Sequence, residues 1–262
     1  MAANAPAYTG TSGFSYPEWI EAGIYPPGTK SAEMLGLYCR LFPVVELNYT
    51  WYQMVRAESV ERMLAASGQL LYCAKLTRSM THEIDENWQA QTQLYCKGIR
   101  PLLQSGRLLS VLVQFPPSFQ RTRDNRLYLA RLFDALATLP LAVEFRHKSW
   151  AQDSVFKGLE QRKVSLVSVD APPLPDLFPP LAVVTSPNLF YLRLHGRNSI
   201  GWRSGSKQQQ FDYNYKKEEL QQWSEERIPQ MCSACKTGVI LFNNHVAGQA
   251  VRNAQAMAKL IR

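Results

Sequence analysis

The chain has 262 residues, 46% hydrophobic and 19% charged, with 29 Lys and Arg against 21 Asp and Glu for a net charge of +8. That length buries a large core, and the mix is that of a globular protein rather than a disordered or fibrous one. No apolar run approaches the roughly 18 residues that cross a bilayer, no dense Lys/Arg run makes a basic arm, and five cysteines, an odd number, argue against a disulfide framework.

The first ten residues, MAANAPAYTG, carry neither a basic n-region nor an apolar h-region, so the cytoplasm is the expected compartment. Short β-branched runs then alternate with stretches of helical period. A strand is predicted at 8–13, then a helix at 30–41 after Gly28, bearing Met34, Leu35, Leu37 and Tyr38. A strand at 44–50 and a helix at 57–66 follow, then a strand at 70–77 and a helix at 86–104. Next come a strand at 109–115, a helix at 124–138 with Asp124 as its N-cap, a strand at 141–147 and a helix at 153–162. After a strand at 164–170, six prolines within 171–187 exclude a long helix. A strand at 189–195 leads into 196–214, a polar Gly- and Ser-bearing stretch read as a mobile lid. A helix at 216–228, a strand at 238–244 and a helix at 246–261 close the chain.

Cys232 and Cys235 form a lone C-x-x-C before the last strand, without the second pair or spaced histidines of a zinc site, and are read as two loop thiols. Eight strands with intervening helices, no repeat and no linker predict one (β/α)8 TIM-type barrel over residues 1–262. The alternative is an open doubly wound sheet; Gly10-Thr11-Ser12-Gly13 lacks its GxGxxG spacing.

Parallel strands are covered on both faces and should be apolar. Here each one turns polar at its C-terminal end. Strand two ends in Glu46 and Asn48, strand three in Lys75 with His82 beyond, strand four in Gln114. Strand five holds Glu144, Arg146 and His147, strand six ends in Asp170, strand seven holds Arg193 and His195, and strand eight ends Asn243-Asn244-His245. Side chains alternate with a period of two, so Glu144 and Arg146 share a face, as do Arg193 and His195, and Glu46 and Asn48. Buried charge is costly unless paired, so these groups must satisfy one another or a ligand at the barrel mouth. A salt-bridge network that merely closes the barrel top is the structural alternative.

The same residues resemble the YecE-like family, also called domain of unknown function 72, over nearly the whole chain. The resemblance rests on Gly10–Tyr16 with Trp19 and Tyr25-Pro26, on Val45-Glu46-Leu47-Asn48 with Thr50-Trp51-Tyr52, and on Lys75, Thr81-His82 and Gln114–Phe119. It continues in Val143-Glu144-Phe145-Arg146-His147 with Ser149-Trp150, in Arg193-Leu194-His195-Gly196, and in Phe242-Asn243-Asn244-His245 with Gly248, Ala250 and Asn253. Phe14 stands where Trp is usual and Trp51 where Phe is usual, an exchange of aromatic shape. The resemblance implies a TIM-type barrel and no particular activity.

Three functions fit this residue set. The first is an enzyme, a hydrolase, lyase or isomerase, acting on a small anionic or sugar-like substrate. Arg146 and Arg193 fix a carboxylate or phosphate, Glu144 or Asp170 is the base, and Lys75 or His195 is the acid or electrostatic stabiliser. Asn48, Gln114 and Asn243 orient hydroxyls; Glu46, His82 and His245 contribute to binding; Tyr16, Trp19 and Trp51 wall the pocket. The second is nucleic-acid binding or processing, supported by the net charge and by Arg197, Arg203, Lys207, Trp202 and Phe211 on the lid. A metal-dependent version takes ligands from Glu46, Glu144, Asp170, His82 and His195, against which the positive charge of Lys75, Arg146 and Arg193 counts, so no metal is assigned. The third is a protein that binds a metabolite without turning it over. Cofactor and oligomeric state are left open.

Overall fold

The computed structural model describes residues 5–261; residues 1–4, part of the leader reading above, lie outside it. Eight parallel strands, β1 (Ala7–Ser12), β2 (Val44–Leu47), β3 (Leu71–Lys75), β4 (Leu108–Gln114), β5 (Leu141–Glu144), β6 (Ser165–Asp170), β7 (Phe190–Leu194) and β8 (Gly238–Phe242), pair in sequence order. β8 pairs back onto β1, so the sheet is a closed barrel. Helices including Ser31–Tyr38, Ala57–Ala66, Trp88–Gln104, Arg123–Ala135, Asp153–Arg162 and Gln249–Leu260 surround it. They bury Tyr38, Val60, Tyr95, Leu132, Leu159 and Met257 against the outer face of the strands, which is why their apolar residues recur with helical period. No helix among the described residues is long and apolar enough to cross a membrane.

Register decides what fills the barrel. Directly paired residues of neighbouring strands point to the same face. Glu46 pairs with Ser12 and with Cys73, Lys75 with Leu112, Gln114 with Glu144, and Arg193 with Val169 and Leu241. These side chains share the interior. The alternate set, including Leu47, Ala74, Val113, Val143, Leu192 and Leu194, faces the helices. Close approach of β1 and β2 requires Gly10, whose Cβ would lie 2.1 Å from Val44 O.

Several boundaries differ from the sequence reading. β2 stops at Leu47, because Asn48 turns into the helical region and a short helix Tyr49–Tyr52 follows. β5 stops at Glu144: Arg146 and His147 leave the ladder for the segment after β6, through Phe178 N–H to Arg146 O (3.0 Å) and a bridge from His147 to Leu177. Thr122, not Asp124, caps the helix Arg123–Ala135, accepting from Asn125 N at 3.2 Å. The helix expected at 216–228 starts at Lys217 and runs on to Ser233 through a π-helical stretch, Gln222–Arg227. The lid stretch contains two short helices, Ser199–Arg203 and Lys207–Gln210, capped by the Asn198 and Ser206 side chains.

Candidate functional site

The barrel interior ends in a buried ionic lattice centred on Arg193. Its Nη1 donates to Glu144 Oε2 at 2.5 Å. Its Nη2 donates to Glu46 Oε1 at 2.6 Å and to Ser12 Oγ at 3.2 Å. Tyr191, two residues earlier on the same face, donates from its hydroxyl to Glu46 Oε2 at 2.6 Å. Arg146 Nε lies 2.5 Å from Glu144 Oε1, and His195 Nε2 lies 3.3 Å from the same oxygen. Two carboxylates thus face two guanidiniums, which is the condition for keeping such charges out of water.

Protonation follows from this packing. Burial alone would raise the Glu144 carboxyl, but Arg146 and Arg193 outweigh it and hold the group well below the usual carboxylate range. Burial would lower Arg193, but Glu144 and Glu46 hold it firmly charged. Burial, then the positive charge of Arg146, push His195 down to about 3, so its ring is neutral near pH 7. In the tautomer protonated at Nε2, its Nδ1 accepts from Asn243 Nδ2 at 3.1 Å. Glu144 and His195 are therefore poor proton carriers at neutral pH. They form the floor that fixes Arg146 and Arg193.

Above this floor opens a cavity of about 1370 Å³, lined among others by Lys75, Arg146, Asn48, Gln114 and Asn243. Lys75 leaves the end of β3 with its backbone pinned, since Thr50 Oγ1 and the Tyr95 hydroxyl donate to Lys75 O at 2.6 and 3.2 Å. Its Nζ sits 5.0 Å from the centre of the Trp51 ring. Burial foremost, and then the neighbouring Arg193, push this amine down to about 7. The carboxylates that would neutralise it, Glu46 and Glu144, are held by Arg193 and Arg146.

The walls are aromatic. Tyr16 donates its hydroxyl to Ser12 O at 2.6 Å and stacks on His245, with ring centres 4.5 Å apart. Trp51 meets His82 edge-on at 4.9 Å, and burial, then Lys75, push His82 down to about 4. The lid closes over the mouth through three cation–π contacts: Trp202 under the Arg146 guanidinium at 5.2 Å, and Lys207 Nζ over Trp51 at 5.1 Å and over Tyr52 at 5.8 Å. Gly196 starts this segment at φ 91°, where a Cβ would lie 2.5 Å from Tyr213 Cβ.

Tyr16, Asn48, Lys75, His82, Gln114, Arg146, Arg193, Asn243 and His245, singled out from sequence, line the cavity, as do the wall residue Trp51 and the lid residues Trp202, Lys207 and Phe211. Glu46, Glu144 and His195 lie beneath it. Trp19 is not a wall residue; it is fully buried, and its indole N–H donates to His245 O at 2.9 Å. Asp170 is not in the site at all. It pairs with Leu194, so it faces the helices. There it accepts from Arg197 Nη2 at 2.6 Å, the Tyr215 hydroxyl at 2.8 Å and Trp223 Nε1 at 2.7 Å, anchoring the base of the lid. His147 is also elsewhere, its Nδ1 accepting from Ser149 N at 3.1 Å. Cys235 Sγ donates to backbone carbonyls at Met231 and Thr237. Sequence reading missed Ser12 and Tyr191, although both sit two residues from known interior positions or pair with one. It quoted Tyr52 beside Trp51 without giving it a role, and Tyr52 also lines the cavity.

The five-residue metal set does not assemble. Asp170 faces away, Arg193 stands between Glu46 and Glu144, and no group of three or more His, Cys, Asp or Glu among the described residues is placed to hold a cation.

Comparison with known proteins agrees with this architecture. The family model "Protein of unknown function DUF72" matches residues 8–262. The chain is 29% identical to the UPF0759 protein YunF of Bacillus subtilis, over 91% of this chain and 90% of that protein. It superposes on a DUF72 family protein of Thermotoga maritima with a TM-score of 0.88 and 33% identity, covering 98% of this chain and 99% of that one. A DUF72 family protein of Enterococcus faecalis gives a TM-score of 0.85 and 27% identity over 97% and 95% of the two chains.

Proposed function

This chain belongs to the DUF72 family of TIM-barrel proteins, and from its own cavity we propose that it is an enzyme acting on a small anionic substrate, with Lys75 moving the proton and Arg146 and Lys207 holding the anionic group. The observation that carries the reading is Lys75: a cavity-facing amine near pKa 7 whose potential counter-ions are engaged elsewhere. A general acid–base works best when its pKa matches the operating pH, and Lys75 meets that condition where Glu144 and His195 do not; Asp170 faces away from the cavity. Arg146 presents a planar fork suited to phosphate or carboxylate. Asn48, Gln114 and Asn243 orient the rest of the substrate.

Titration with inorganic phosphate and simple carboxylates, followed by a turnover screen of phosphorylated and carboxylated compounds, tests this. Binding should disappear in Arg146→Gln, and turnover should rise through about pH 7 and vanish in Lys75→Met. Anion binding indifferent to Arg146, or no anion binding, overturns it.

A second reading, binding of single-stranded nucleic acid, is favoured by one feature. Trp51, Tyr52, Trp202 and Phe211 ring the mouth with Lys207 among them, the aromatic and basic mix on which bases stack and phosphates rest. The cavity also exceeds the ~300–1,000 Å³ of most small-molecule sites. Salt-dependent binding of short single-stranded DNA, lost in Trp51→Ala and Lys207→Ala, would move this reading to first place.

A further inference from the structure

Resting on the anionic-substrate reading, we propose that Lys75 is a covalent nucleophile that forms a Schiff base with an anionic carbonyl compound, an α-keto acid or a phosphorylated aldehyde or ketone, whose charged group lies on Arg146. The placement of the amine supports this before any consideration of charge. It projects from the C-terminal end of a barrel strand into a cavity large enough for a substrate. Its backbone is held at one carbonyl by two hydroxyls. An anion anchor is already supplied by Arg146 and Lys207, so Lys75 is not needed as a further permanent cation there.

Two further features fit a nucleophilic amine. A lysine is activated by desolvation or by a neighbouring cation, and Lys75 has both, in its burial and in Arg193 and Arg146. The cationic iminium, once formed, is stabilised by the Trp51 face 5.0 Å from Nζ and by the field of Glu46 and Glu144 beneath.

The step balances without an oxidant or reductant. The neutral Nζ lone pair attacks the carbonyl carbon; the C–N bond forms, and the carbonyl pair moves to oxygen, which takes a proton from cavity water. The nitrogen sheds a proton to give the carbinolamine. That hydroxyl is protonated and leaves as water while the nitrogen lone pair closes the C=N bond. The net change is amine plus carbonyl plus one proton to protonated imine plus water. The imine is then an electron sink for breaking a bond at the neighbouring carbon, the bond type common to aldol, decarboxylation and dehydration chemistry.

The test uses the full chain, incubated separately with pyruvate and with glyceraldehyde 3-phosphate, reduced with borohydride, and mapped by peptide mass spectrometry. The expected result is a single dominant adduct at Lys75, suppressed by inorganic phosphate and by Arg146→Gln, and lost in Lys75→Arg and Lys75→Met. The wild-type map is decisive even where a variant folds poorly. Adducts spread over surface lysines with Lys75 unmodified overturn the proposal. If phosphate binding still depends on Arg146 in that case, the acid–base reading stands and only the covalent step falls. If Arg146-dependent binding is missing as well, both fall.

Discussion

Arg193 Nη1 donates to Glu144 Oε2 at 2.5 Å, joining β7 to β5 inside the barrel. Through Nη2 the same guanidinium reaches Glu46 on β2 and Ser12 on β1, so one side chain ties four strands together directly beneath the cavity. This contact stabilises the fold only because both ends are paired, and it sets the field in which Lys75 titrates.

Replacing Arg193 with Met should leave Glu46 and Glu144 buried against too little positive charge. A broken buried ion pair costs about 3–5 kcal/mol, and urea unfolding of Arg193→Met should show a loss in that range. The same change should raise the Lys75 amine, since Arg193 depresses it. A stability loss under about 1 kcal/mol would mean that water or Arg146 already neutralises the carboxylates.

Stability should depend on pH at both ends of the range. Lys75 is lowered from 10.5 to about 7, so between those values the unfolded chain binds the extra proton and stability rises with pH. Lys75→Met should flatten that alkaline slope and stabilise the protein at neutral pH by roughly 1–3 kcal/mol, the cavity water moderating the effect. On the acid side, His195 is lowered from 6.5 to about 3; the unfolded chain again binds more protons, and stability falls as pH drops below 6.5. Glu144, held below its ordinary 4.5, adds a further loss below that value. Each group contributes at most about 1.4 kcal/mol per pH unit. Thermal melts across pH, with His195→Gln reducing the slope beneath pH 6.5, check the assignment.

Asp170→Ala should be strongly destabilising, by about 3–5 kcal/mol, because it leaves Arg197 with Glu219 alone and strands the buried donors of Tyr215 and Trp223. Anion affinity at the cavity should survive in the folded fraction. A variant of normal stability that binds no phosphate would instead return Asp170 to the site.

Gly196→Ala should loosen the lid rather than the barrel. An alanine at φ 91° is strained, and its Cβ would meet Tyr213. Hydrogen exchange and protease cleavage within 197–214 should increase while the strands stay protected. Unchanged protection of the lid would show that its attachment through Arg197 and Asp170 suffices.

The barrel itself was legible in the residues. All eight strands lie where the β-branched runs placed them, because a strand buried on both faces has to be written in apolar residues. The same-face pairs Glu144 with Arg146 and Arg193 with His195 also followed from period two, a property of local backbone geometry. Local geometry does not say which of the two faces is the interior. That parity is assigned strand by strand through register with neighbours distant in the chain. It put Glu46 against Arg193, 147 residues away, and turned Asp170 outward to the helices although its type and position at a strand end matched theirs. Charge state was likewise decided in three dimensions. Glu144 looked like a base and Lys75 like an acid until packing surrounded one with guanidiniums and left the other facing open space, because a proton's affinity depends on the charges and water around the group rather than on the residue that bears it.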